Sequence, residues 1–198
     1  GDQVICYAQS NGHWADVGGS VPGSFDINAK EHFAEGLRIP PVRIWDRGKY
    51  LGDIVGMISS NSRAPGHVEG DLHAQAEATR VAEQEILRLV EKYGKDKVTT
   101  GFTEVQDYVE RLTRQRIAEL PDGSWETEDY IDSDPSVGEG LIPICVKMTI
   151  EGDQVTYDLS GSHPAVGTFL NAAFGSSFSG IIGGTKTFFP DIPLNSGF

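Results

Sequence analysis

The sequence predicts an α+β fold: mixed strands with a central helical hairpin and a following β-hairpin. Three observations lead there. Residues 71–120 carry apolar side chains at steps of three and four, the helical period. Residues 141–158 alternate apolar and polar side chains, the strand period. Residues 1–70 are cut by glycine and proline into pieces too short for long helices. The 198 residues suit one domain, read as 1–70 (strands and loops forming a site face), 71–120 (helical hairpin) and 141–198 (β-hairpin and Gly-rich segment).

"VICYAQS" (4–10) is short and apolar and reads as a buried strand, whose Val4, Ile5 and Tyr7 are expected as an exposed edge in a piece cut from a longer chain. Residues 11–26 are a Gly-rich loop. Residues 35–53 are extended, because Pro40 and Pro41 forbid helix, and "DRG" turns between two short strands. His32, in "AKEHFAEG", marks a single helical turn, and 61–70 reads as a loop. Asp71 is the expected N-cap of a helix whose stripe is Ala82, Ile86, Leu89 and Tyr93, stopped by Gly94. Thr103 and Gln106 have capping-box spacing and open a second helix, with Val105, Val109 and Leu112 on one face and Pro121 to Gly123 as its end. Ile142, Ile144, Val146, Met148 and Ile150 would face one side of a hairpin that turns at "EGDQ". The small residues of 160–189 suit a closely packed helix in the middle of that stretch.

Composition narrows the function. Sixteen basic against 29 acidic residues leave a net charge of −13, which phosphate backbones and anionic membranes repel. Nucleic-acid and membrane partners are therefore not expected, and no apolar run reaches the roughly 18 residues of a membrane helix. Cys6 and Cys145 lie in apolar runs and read as reduced core cysteines of a cytoplasmic protein. The beginning shows no signal-peptide pattern, and both ends read as cuts through a longer polypeptide, so an interior portion is expected.

The chemistry concentrates in "SNGHWADVGGSVPGSF" (10–25). His13 and Asp16 form an H-x-x-D pair among glycines, which allow close backbone approach to a ligand. Imidazole suits Zn, Mn or Fe, while the carboxylate can be a ligand, a general base or an orienting partner. The plainer alternative is an ordinary loop, with His13 exposed and Asp16 capping a turn. His32, His67, His73 and His163 read as structural or solvated. "GIIGGTKT" (180–187) is not a phosphate loop, because Thr185 separates Gly184 from Lys186. No G-x-S-x-G elbow occurs either.

"GHWADVGGSVPGSF", "EGLRIPPVRIW", "NSRAP", "GDLHAQ", "LPDGSWETEDYID", "YDLSGS" and "FFPDIPLNSGF", in this order, resemble the hydantoinase B family over nearly the whole chain. That family takes in the B-type component of N-methylhydantoinase, the matching part of 5-oxoprolinase, and components of acetone and acetophenone carboxylases. The resemblance implies a longer metal-dependent subunit of an ATP-dependent cyclic-amide hydrolase, opening hydantoin or 5-oxoproline rings. The same scaffold serves ketone carboxylases, and a non-catalytic assembly module is a third reading. ATP would be used on a hydantoinase A-type partner, in a hetero-oligomer. His13 matches a divalent-metal ligand of the family, whose remaining ligands come mostly from an upstream H-x-x-D. Trp14 departs from the second histidine of many relatives. Asp16 matches the motif's aspartate; the family's ligand set is filled upstream, which implies a catalytic residue that orients the site, through a hydrogen bond to His13 or a backbone N–H, or contacts substrate, without ligating the metal. Arg38 and Arg63 are candidates to bind an anionic substrate or phosphate, against ordinary salt bridges as the alternative.

Overall fold

A computed structural model describes residues 3–198. The chain forms two compact units that divide between Tyr93 and Gly94. Helices and two antiparallel sheets make it α+β, as the sequence predicts.

The first unit holds α1 (His32–Glu35), the ribbon β1 (Trp45–Asp46) and β2 (Lys49–Tyr50), α2 (Gly52–Ser59) and α3 (Pro65–Tyr93). The expected "DRG" turn joins β1 to β2, with Trp45 opposite Tyr50 and Asp46 opposite Lys49. Val55 and Ile58 of α2 pack on Val68 and Leu72 of α3, closing a core against which Trp14, Leu37, Ile44 and Ile54 rest. The His73 ring stacks on Tyr50 (4.7 Å between centroids) and meets Trp45 edge-on (5.2 Å), which seats the ribbon on α3.

The structure departs from several sequence expectations. Residues 4–10 form no strand: Val4 is 65% and Tyr7 90% exposed, and Cys6 is exposed too. An apolar run becomes a buried strand only beside a pairing partner, and none of the described strands pairs with it. The expected loop at 61–70 is helical from Pro65 onward, so Asp71 lies inside α3 rather than capping it. Proline suits a first helical position because its missing N–H has no partner to lose there. Beyond Leu72 the predicted stripe is not core, since Ala82, Leu89 and Tyr93 are exposed and Ile86 only half-buried. The α2 helix has no counterpart among the sequence expectations.

The second unit holds α4 (Lys95–Ile117), the meander β3 (Gly123–Ile131), β4 (Ile142–Glu151) and β5 (Gln154–Asp158), and α5 (Phe174–Phe188). Val109, Ile117, Ile150, Phe189 and Ile192 form its core, with Leu112, Met148, Val155 and Phe198 against it. The α4 helix starts at Lys95, eight residues before the expected capping box, whose Thr103 lies within the helix. The predicted hairpin is present as β4 and β5, and β3 adds a third strand from Gly123 opposite Ile150 to Ile131 opposite Ile142. Its apolar face is buried only toward the ends, at Ile142 and Ile150, whereas Ile144 is 39% exposed. Cys145 is half-buried in β4. The α5 helix exists but is not closely packed, since none of its residues is buried. Lys186 in its last turn donates to the carbonyls of Phe189 (2.7 Å), Pro190 (2.9 Å) and Ile192. That ammonium group ties the segment after the helix back to its last turn.

Among the described residues no helix is long and apolar enough to cross a membrane.

Candidate functional site

The loop of residues 12–24 is organised around one carboxylate. Asp16 is only 4% exposed. Its Oδ1 accepts hydrogen bonds from the backbone N–H groups of Gly18 (2.9 Å) and Arg63 (3.0 Å), and its Oδ2 accepts from the N–H of Gly23 (2.9 Å). Backbone donors are the cheapest partners for a buried carboxylate, because they satisfy its charge without immobilising further side chains. These N–H groups, first that of Arg63 and then those of Gly18 and Gly23, hold the Asp16 carboxyl well below the usual carboxylate range, against the opposing pull of desolvation.

Arg63 completes the arrangement from the stretch between α2 and α3. Its Nη1 lies 3.1 Å from Asp16 Oδ2 and donates also to the carbonyl of Val21 (2.9 Å), while Nη2 donates to the carbonyl of Gly19 (2.8 Å). A planar guanidinium can serve several oxygens in fixed directions, as a lysine cannot. Ser62 adds a hydroxyl that donates to the Asp16 carbonyl (2.8 Å) and accepts from the Ala64 N–H (2.9 Å), directly before α3 begins. Ser24 closes the inner turn, accepting from the Val17 N–H (2.9 Å) and donating to the Gly18 carbonyl (2.7 Å). The loop is thereby tied to the α2–α3 core.

His13 stands outside this network. It is exposed, its ring stacks on Phe25 (5.6 Å, 23° between planes), and neither ring nitrogen has a hydrogen bond or ion pair within the described residues. It lines an open cleft of about 390 Å³ with Gly12, Trp14, Ser24, Phe25 and Glu35. Trp14 is held by its Nε1–H donating to Gln75 Oε1 of α3 (3.2 Å) and by packing on the α2–α3 core. The indole thus ties the loop beside His13 to α3.

The structure brings His13 and Asp16 into one loop but gives them different surroundings, one open and one enclosed. Arg63 joins Asp16. Arg38 does not: its guanidinium lies over the Phe33 ring at 5.7 Å and makes no ion pair among the described residues. No group of three or more His, Cys, Asp and Glu side chains able to hold a metal occurs among the described residues. His13 fits the role of a single donor to a divalent ion, having free ring nitrogens on a cleft wall, and the chain supplies no complete ligand set around it among the described residues. Sequence reasoning did not single out Glu35 or Ser62; the "AEG" and "NSRAP" stretches carry them, but their proximity to the loop is a tertiary fact.

The fold and site define an α+β protein with a glycine-rich, carboxylate-centred loop that presents an imidazole to an open cleft. The chain belongs to the hydantoinase B/oxoprolinase family, whose sequence model matches residues 1–198. It is similar to the beta chain of the caprolactamase of Pseudomonas jessenii, 36% identical over 186 residues, which cover 94% of this chain and 32% of that protein. The crystal structure of the ATP-dependent caprolactamase from Pseudomonas jessenii matches with a TM-score of 0.79 at 36% identity, over 92% of this chain and 31% of that one. A nucleotide-free structure of acetone carboxylase, an enzyme of ATP-dependent acetone carboxylation, matches with a TM-score of 0.83 at 19% identity, over 94% of this chain and 26% of that one; it shares the fold. The chain thus spans about a third of the length of the relatives it matches.

Proposed function

We propose that this chain is part of a metal-dependent subunit of an ATP-dependent cyclic-amide hydrolase, with His13 as a metal ligand and ATP used on a hydantoinase A-type partner. One observation carries the reading: an imidazole with no hydrogen-bond partner among the described residues, on the wall of an open cleft, presented by a loop fixed through a buried carboxylate. The family membership and the likeness to a caprolactamase, whose name denotes action on a lactam, support the reaction class. A bound divalent ion (Zn, Mn or Fe) supplies Lewis acidity toward water or a carbonyl oxygen.

The chain's own residues have separable tasks under this reading. His13 offers a ring nitrogen. Asp16 is a positioning residue: its oxygens are filled by N–H groups of Gly18, Gly23 and Arg63, so it sets the loop's course. Arg63 holds the same loop through Asp16 and the carbonyls of Gly19 and Val21. Arg38, with no carboxylate partner among the described residues, is the arginine better placed to meet an anionic group.

The test uses the intact subunit co-expressed with its ATP-using partner, supplied with ATP and hydantoin, 5-oxoproline, ε-caprolactam, or acetone with bicarbonate. Ring opening that disappears in His13→Ala, together with bound metal, supports the proposal. Carboxylation of acetone alone would instead select the ketone-carboxylase reading, and absence of every activity with metal unaffected by His13→Ala would leave an assembly module.

A further inference from the structure

Glu35 lines the same cleft as His13. It is exposed, and its carboxylate has no hydrogen bond or ion pair within the described residues. Its backbone, by contrast, is held firmly. The Ser20 N–H donates to the Ala34 carbonyl (2.9 Å) and the Leu37 N–H to the Val17 carbonyl (2.8 Å), so residues 34–37 run against the loop that Asp16 organises. Two glycines make this approach possible. A Cβ on Gly19 would stand 2.5 Å from the Ala34 carbonyl oxygen and 2.8 Å from the Glu35 carbonyl carbon. A Cβ on Gly36 would stand 2.8 Å from the Val17 carbonyl oxygen. Both also have backbone angles that side-chain-bearing residues avoid, φ +84° at Gly19 and +144° at Gly36.

An ionised carboxylate only accepts hydrogen bonds. The cleft wall beside it presents the Phe25 and Trp14 rings and the His13 imidazole. A ligand that satisfies all of these has an N–H donor on a ring with apolar faces, together with a polar atom for His13 or an ion held there. A cyclic amide has this combination. We infer that Glu35 is a substrate-positioning residue, which accepts a hydrogen bond from the ring N–H of a cyclic amide in the His13 cleft. The inference rests on the cyclic-amide reading above, and its test separates the two.

The intact subunit with its partner is assayed on ε-caprolactam and 5-oxoproline, each paired with its N-methyl derivative, in the wild type, Glu35→Gln, Glu35→Ala and His13→Ala. Calorimetric binding of ε-caprolactam and metal content are measured alongside. A hydrogen bond to a charged acceptor predicts a rise of about 10- to 100-fold in KM and in the dissociation constant for Glu35→Ala, with kcat and metal content nearly unchanged. Glu35→Gln keeps one acceptor oxygen and falls between. The N-methyl derivatives, lacking the donor, lose this dependence on residue 35. Turnover that needs His13 but is indifferent to residue 35 overturns the inference alone, as does an equal loss on the N-methyl substrates. No turnover, no lactam binding and metal indifferent to His13→Ala overturn the cyclic-amide reading, and this inference with it.

Discussion

Arg63 Nη1 and Asp16 Oδ2 lie 3.1 Å apart although 47 residues separate them in the chain. The Arg63 backbone N–H also reaches Asp16 Oδ1, at 3.0 Å. One residue therefore grips the same carboxylate from main chain and side chain, and the Gly-rich loop acquires the rigidity of the helices behind it.

His13→Ala is expected to lower the metal content of the intact protein sharply while leaving its fold unchanged, because the exposed ring touches only Phe25 among the described aromatic side chains. Asp16→Asn is expected to lower activity by roughly 10- to 100-fold, the usual consequence of losing a residue that orients a ligand. Elemental analysis of both variants decides between roles: metal loss in Asp16→Asn as complete as in His13→Ala would make Asp16 a ligand.

Arg63→Lys should loosen the loop almost as much as Arg63→Ala. A point-like ammonium cannot reproduce a fork that serves Asp16, Val21 and Gly19 together. Hydrogen exchange at the amides of Gly18 and Gly23, which donate to Asp16, reads this directly. Protection equal to the wild type in Arg63→Lys would show that charge alone suffices.

The pH dependence follows from the depressed Asp16 carboxyl. A group whose folded pKa lies below its unfolded value, about 3.9 for aspartate, contributes stability above that value and loses it as pH falls toward the folded pKa. Wild type and Asp16→Asn should therefore differ most in stability near neutrality, and the difference should shrink as pH drops below about 4. Denaturant titrations at pH 7, 4 and 3 measure it, and a gap that widens on acidification would contradict the assignment.

Gly19→Ala places a Cβ 2.5 Å from the Ala34 carbonyl oxygen, at φ +84°. The backbone conformation alone costs about 1–2 kcal/mol for a residue with a side chain, before the clash is relieved. A lowered melting temperature with activity reduced further than stability accounts for would mark displacement of the 34–37 segment. A melting temperature at or above the wild type's would refute the close approach.

Ile192→Ala should cost about 2–5 kcal/mol in the unfolding of the second unit, the range for truncating a buried aliphatic side chain. Ile192 is fully enclosed among Val109, Ile117, Ile150 and Phe189. Phe188→Ala, on the exposed side chain four positions earlier, is the control and should stay near neutral. Equal losses from the two would mean that the core lies elsewhere.

The sequence by itself determined the α+β class, the existence of two long helices, the "DRG" turn, the β4–β5 pairing and the family, because each of these rests on local periodicity, turn chemistry or motif order. It also singled out the His13–Asp16 loop. It could not determine which apolar residues are buried. Residues 4–10 read as a strand and form none, and the Leu89 stripe reads as a packed face and is open, since pairing and burial need a partner that local pattern does not specify. Nor could it place helix starts, because Pro65 and Lys95 begin helices ahead of stronger-looking caps. The division of labour in the loop belongs to the tertiary structure alone. Asp16 meets Arg63 across 47 residues and His13 shares a cleft with Glu35, since chain folding, rather than spacing along the sequence, brings these groups together.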